Sequence, residues 1–203
     1  MKLKPSHWAV LAFTLAYVVG FAIWFLAIGN IEFLWYIATL LFFVALIALS
    51  IGKTKFPPFI LWALAVWGLA HMAGGGIEVG GSVLYAFVLI PIVGDGELHI
   101  LKYDQLIHFY GFAVTALVLW HLLRTNFPAL RGTATIYCFA ALGSMGLGCL
   151  NELIEFAAVL ALPDTNVGGY YNTALDLAFN SAGAVTAMLL VRLTVGREAV
   201  AAP

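Results

Sequence analysis

Six long apolar segments constrain what this chain can fold into more than any other feature of its sequence. An α-helix needs about 20 residues to cross the roughly 30 Å hydrocarbon core of a bilayer. Six segments are long enough, over residues 8–28, 31–51, 57–74, 103–124, 133–161 and 172–194. We therefore expect an all-α membrane protein, a six-transmembrane helix bundle that forms a single domain over residues 1–203.

The composition of the chain leads to the same class. Of its 203 residues, 64% are hydrophobic and only 9% are charged, whereas soluble domains carry about 25% charged residues. The net charge of −1 provides no basic face for a nucleic acid. Membrane lipids are therefore the expected surroundings, nucleic acid is excluded as a partner, and the oligomeric state is left open.

The distribution of Lys and Arg predicts the orientation in the membrane. If the spans alternate, eight of the nine basic residues fall on one side: Lys2, Lys4, Lys53, Lys55, Arg124, Arg131, Arg192 and Arg197. Only Lys102 falls on the other side. The positive-inside rule then predicts an inner (plasma) membrane protein of bacterial type with both termini in the cytoplasm. The first apolar run is longer than the core of a signal peptide, so we expect it to be a retained span.

The connection between the third and fourth spans, residues 75–102, is the longest and is predicted to be external. Gly74, Gly75 and Gly76 are expected to end the third helix because glycine is flexible. Two β-prone runs, 83–90 and 98–101, flank the sequence Gly94-Asp95-Gly96-Glu97, which is a hairpin pattern. A short helix on the outer leaflet is the alternative. Either structure would form a lid over the outer mouth of the bundle.

Polar residues interrupt the apolar spans at one predicted depth. Asp104 and His108 are four residues apart, which places both on one face of a helix. Asp within a span costs roughly 2.5–3.5 kcal/mol at the bilayer centre, so it needs a polar environment. The outer-leaflet halves of the other spans carry His71, Asn151, Glu152, Glu155, Asp176 and Asn180. We expect these side chains to meet in one acidic, histidine-bearing pocket that opens outward.

A combination of motifs resembles a known family. The motifs are His71-Met72-Ala73-Gly74-Gly75, Asp104-x-x-x-His108-Phe109-x-Gly111, Glu152-x-x-Glu155 and Asn172-Thr173-x-x-Asp176-x-x-x-Asn180-x-x-Gly183. Together, over residues 60–194, they resemble the YjdF-type inner-membrane proteins and, more distantly, the VanZ-like proteins. The chain departs from the pattern at Gln105, where Arg is common, and at Asn172, where Asp is common. The resemblance implies a site but no particular reaction.

Three functions fit these residues. The first is a metal-dependent hydrolase or transferase acting on a lipid or lipid-linked substrate. In this function Zn or Mn is bound by His71, Asp104, His108 and Asp176. The general base is Glu152 or Glu155, and the supporting polar groups are Asn151 and Asn180. The second is a proton- or cation-coupled transporter or a lipid-binding module. The third is a purely structural network of buried polar side chains.

Overall fold

The computed structural model describes residues 4–94, 98–162, 165 and 167–195, and this part of the chain contains six long α-helices. They are α1 Pro5–Ile28, α2 Ile31–Thr54, α3 Pro58–Gly76, α4 Tyr103–Asn126, α5 Ala134–Ala161 and α6 Tyr170–Thr194. All six are long and apolar enough to cross a membrane. The predicted six-span, all-α fold is therefore confirmed. The predictions for Lys2, Asp95, Glu97 and Arg197 lie outside the described residues.

Local signals in the sequence set the ends of the first helices. Proline occupies the first turns of α1 and α3, where its missing N–H removes no helical hydrogen bond. Gly29 ends α1 with a positive φ of 71°, a conformation that glycine adopts without steric cost. The side chain of Asn30 then accepts a hydrogen bond from the Phe33 N–H at 3.1 Å and caps α2. These residues connect α1 to α2 in a tight turn.

The chain divides into two compact units, and the first comprises residues 1–107 and 156–167. Within it α1 packs against both α2 and α3. Phe13 and Trp62 join α1 to α3 with ring centroids 5.4 Å apart, and the Trp24 indole donates to the Gly76 carbonyl at 2.9 Å. The outer faces of these helices are apolar; Leu49, for example, is 88% exposed. Such faces are suited to contact with membrane lipids.

The glycine run at the end of α3 ends the helix at Gly76, two residues later than predicted. The helix continues through Gly74, Gly75 and Gly76. A Cβ atom at Gly74 would lie 2.5 Å from the Tyr85 ring, and one at Gly75 would overlap the Phe33 ring. The absence of a side chain here serves the close approach of aromatic rings rather than chain flexibility.

The connection between α3 and α4 contains paired strands. β1 (Glu78–Val79) pairs with β2 (Ser82–Val83), and a short 3-10 helix follows at Leu84–Ala86. β3 (Val88–Val93) then pairs antiparallel with β4 (Ile100–Lys102). The hairpin alternative is thus confirmed for the described residues, although its first arm begins later than predicted. Its role as an external lid stays a prediction.

The second unit comprises residues 108–155 and 168–203 and contains most of α4, most of α5 and all of α6. Small residues bring these helices into backbone contact. Ser144 Oγ of α5 donates to the Phe112 carbonyl of α4 at 2.7 Å. A Cβ atom at Gly183 of α6 would overlap the Phe109 carbonyl oxygen of α4. The core of this unit consists of Ala116, Trp120, Ile136, Tyr137, Ala140, Ala141, Ala184, Ala187, Met188 and Val191.

Candidate metal centre

His108 lies at the centre of the polar residues of the second unit. It occupies the second turn of α4 and is buried, with its ring stacked on Phe112 at a centroid distance of 6.2 Å. Its Nδ1 forms a 3.0 Å hydrogen bond with Oδ1 of Asn180 on α6. Since a carbonyl oxygen only accepts, this bond places a proton on Nδ1 and leaves the lone pair of the neutral ring on Nε2.

A carboxylate faces each nitrogen of the His108 ring. Glu152 Oε1 of α5 lies 3.8 Å from Nδ1, and Asp176 Oδ1 of α6 lies 4.0 Å from Nε2. Both acids are buried, Glu152 to 8% exposure and Asp176 to 0%. Burial of this kind in membrane-spanning helices is costly for a charged carboxylate unless a cation or hydrogen bonds compensate.

Both separations exceed the 2.7–3.2 Å range of an N–H···O hydrogen bond. On the Nε2 side, the 4.0 Å to Asp176 lies within the roughly 4.2 Å limit that two metal–ligand bonds of about 2.1 Å can span, so one ion can bridge these two atoms. Nδ1 carries the proton that it donates to Asn180 and is not available to the same ion. The ligand atoms of His108, Glu152 and Glu155 also lie within 4.8 Å of one another. The donor set, one imidazole with carboxylates, is one that Zn and Mn accept.

Two amide side chains orient the acids of this cluster. Asn172 Nδ2 donates to Asp176 Oδ2 at 2.6 Å, one turn away on α6. Asn151 Nδ2 donates to Glu155 Oε1 at 2.9 Å on α5. In metal sites such outer hydrogen bonds hold the ligands in position. Asn172, where the sequence departs from the family pattern, thus has a clear structural role.

The absence of a side chain at Gly148 allows α5 and α6 to approach at the cluster. A Cβ atom at Gly148 would lie 2.8 Å from the Asn180 side-chain amide. Asn180 is only 1% exposed and bonds His108 from this position. The stripe of small and polar residues along α5, which includes Ser144, Gly148 and Glu152, therefore faces α4 and α6 as expected of interior helix faces.

Most of the predicted site residues meet in the second unit. This unit contains six of them, which form the contacts described above: His108, Asn151, Glu152, Glu155, Asp176 and Asn180. Asp104 lies one turn before His108 on the same face of α4.

His71 belongs to the first unit and has different neighbours. Its Nδ1 is hydrogen-bonded to the Tyr85 hydroxyl. The rings of Phe33, Tyr36, Trp67 and Tyr85 surround it at centroid distances of 5.6–6.3 Å. The structure thus places His71 in an aromatic cluster.

Sequence reasoning missed two polar features of the first unit. Glu32, in the first turn of α2, is buried to 5% exposure. An acid at a helix N-terminus is favoured by the helix dipole. Gln105 is fully buried, and its side chain bonds the His99 carbonyl at 2.8 Å and the Lys102 N–H at 3.1 Å.

The six spans and the buried cluster around His108 together define a class: a polytopic helical membrane protein with histidine and carboxylates in its spans. The chain belongs to the family described as "Predicted membrane protein (DUF2238)", which matches residues 8–197. This is the family of the YjdF-type proteins, so that resemblance is confirmed. No curated protein matches the chain, and no solved structure does.

Proposed function

We propose that this protein is a metal-dependent hydrolase or transferase that acts on a lipid or lipid-linked substrate. One observation carries the proposal. The His108 ring has a buried carboxylate 3.8–4.0 Å from each of its nitrogens, within helices that are apolar enough to span a membrane. A divalent cation compensates clustered acids in such surroundings.

The proposed ligands in the second unit are His108 and Asp176. Asp104, one turn before His108 on α4, stays a ligand predicted from the sequence alone. Nε2 of His108 is the ligand atom because Nδ1 is engaged with Asn180. Asn180 and Asn172 would hold the His108 ring and the Asp176 carboxylate in place. His71 is left out of this set because, among the described residues, it is not part of a group of three side chains that could hold a metal ion. When bound, Zn or Mn would polarise a carbonyl or phosphoryl oxygen of the substrate.

Glu152 and Glu155 are the proposed general bases. They lie one turn apart on α5, and each offers a carboxylate oxygen within 4.8 Å of His108 and of the other. Either carboxylate can take a proton from water or from a substrate hydroxyl. The hydrogen bond from Asn151 orients Glu155 for this task.

The substrate class and the location follow from the membrane setting. Helices α4 and α6 carry His108 and Asp176 in their first two turns, at the ends remote from Arg124 and Arg192. With the basic ends in the cytoplasm, the cluster lies in the outer half of an inner (plasma) membrane. A lipid headgroup or a lipid-linked precursor can reach this depth from the side. The more distant VanZ-like relationship, based on similar Asp/His and Asp/Asn motifs, is part of the same proposal.

Reconstituted protein tests the proposal directly. Purified protein in phospholipid vesicles, supplied with Zn²⁺ or Mn²⁺, is assayed for released headgroup or new lipid by mass spectrometry. We expect product formation to stop when a chelator removes the metal and to resume when Zn²⁺ or Mn²⁺ is added back. Glu152→Gln should bind metal but form little product, whereas Asp176→Asn should lose the metal. If Asp176→Asn keeps the metal while Glu152→Gln loses it, the proposed ligand set is wrong and the ion lies on the Nδ1 side of His108.

Two other functions are outcomes of the same experiment. Wild-type protein that forms no product but takes up protons or cations into vesicles would be a carrier. Protein that binds no metal, and whose Asp104→Asn and Glu152→Gln variants behave as wild type, would contain a structural polar network. Either result would overturn the proposed enzymatic function.

A further inference from the structure

The first unit contains an elongated cavity of about 180 Å³ between α1, α2 and α3. Its walls run from His7 to Tyr17 on α1 and from Ile51 back to Leu40 on α2. Ten helical residues at 1.5 Å each give a length of roughly 15 Å. The cavity therefore extends from the ends of these helices to about their middle.

The wall of this cavity is mostly apolar, and the polar side chains in its lining include His7, Thr14, Tyr17 and Trp67. It includes Val10 and Leu11 of α1, Val44 and Ile47 of α2, and Leu61 of α3, and its lining residues include no Asp, Glu, Lys or Arg within the described chain. An apolar cavity of about 150 Å³ in another protein is large enough to bind benzene. A narrow apolar space of this length fits a hydrocarbon chain.

One end of the cavity is basic. Lys4 lies one turn before His7 and donates its backbone N–H to the His7 ring at 2.9 Å. Lys53 follows the lining residue Ile51 by two residues, and both lysines are exposed. The sequence contains no Asp or Glu before Glu32 and none between Phe33 and Ile77. The charge at this end is therefore positive and uncompensated by acids of these helices.

We propose that the cavity binds one acyl chain of an anionic phospholipid whose headgroup is held by Lys4 and Lys53. A chain that moves from the bilayer into an apolar cavity gains little from burial, because lipid tails are as apolar as the wall. Retention therefore depends on the fit of the chain and on the attraction of the lysines for a phosphate. This lipid site shares no residue with the His108 cluster, and it does not depend on the function proposed for that cluster.

Native mass spectrometry of the purified full chain tests this site. The protein is reconstituted with equal amounts of phosphatidylglycerol and phosphatidylcholine and is then released from the membrane. The mass of the protein is measured together with that of any lipids it retains. We expect a single retained lipid, with phosphatidylglycerol favoured on the order of tenfold by the two lysines. Retention of no lipid by the wild type would overturn the proposal.

Two variants that fill the cavity serve as independent checks. Ala48→Phe and Ala65→Leu add bulk to lining positions, and either one, if folded, should lose the retained lipid. Ala16→Phe adds the same ring as Ala48→Phe at an exposed position of α1 outside the lining and should keep it. Lys4→Gln combined with Lys53→Gln should abolish the preference for phosphatidylglycerol. Equal retention in Ala48→Phe and Ala16→Phe, or an unchanged preference in the lysine variant, would contradict the proposal.

Discussion

His108 Nδ1 and Asn180 Oδ1 are 3.0 Å apart, although the two residues are separated by 72 positions in the chain. This hydrogen bond joins α4 to α6 and turns the His108 ring so that Nε2 faces Asp176. It therefore connects the polar residues of α4 and those of α6 in one cluster. The first prediction concerns its removal.

Asn180→Ala should weaken metal binding without removing a ligand. The loss of a hydrogen bond that orients a metal-binding histidine typically costs about 10–100-fold in affinity. The measurement is a metal titration of purified protein. Asn126→Ala is the control, because Asn126 bonds the Leu122 carbonyl near the end of α4. Equal affinities in the two variants would show that Asn180 does not orient a ligand.

Gly183→Ala should destabilise the protein, because the new methyl group would overlap the backbone oxygen of Phe109. Backbone cannot rotate away as a side chain can, and overpacking typically costs about 1–3 kcal/mol. Thermal unfolding in detergent measures the effect. Gly146→Ala, on α5 with nothing within 4 Å of the position its methyl group would take, should be neutral or stabilising by up to about 1 kcal/mol. A Gly183→Ala protein as stable as wild type would contradict the close contact between α4 and α6.

Gly75→Ala should lower the stability of the first unit because its Cβ would overlap the Phe33 ring. Phe33 is itself buried, at 2% exposure, so its ring has little room to move. The double variant Gly75→Ala, Phe33→Leu should recover part of the loss, since the overlapping ring is gone. Thermal unfolding in detergent again measures the effect, and Gly20→Ala, in α1 with open space around it, is the control. Additive losses in the double variant would argue against the contact.

The sequence was sufficient for the helices because span length and hydrophobicity are local properties. The observed ends of α1 to α6 fall within three residues of the predicted ones. The continuation of α3 through Gly74 and Gly75 has a non-local cause. Gly75 packs against Phe33, which is 42 residues away, and no local pattern distinguishes a glycine that ends a helix from one that accommodates a ring.

In the candidate site, too, local patterns could be predicted from the sequence and tertiary contacts could not. Helical spacing and depth were sufficient to group His108, Glu152 and Asp176, because polar residues in spans seek one another. The same reasoning grouped His71 with them. Its hydrogen bond to Tyr85 depends on the path of the α3–α4 connection, which hydropathy does not specify. Buried Glu32 was missed for a similar reason, since it lies beside a turn and its burial comes from tertiary packing.

Metal content of the purified protein tests the central claim most directly. Wild-type protein, purified without chelator and dialysed against Zn²⁺ or Mn²⁺, is measured by elemental analysis beside His108→Ala and His121→Ala, two histidine variants of α4. We predict one metal ion per chain in the wild type and in His121→Ala, and none in a folded His108→Ala protein. Wild-type protein that retains no metal, or a His108→Ala protein that retains as much as the wild type, would contradict the account.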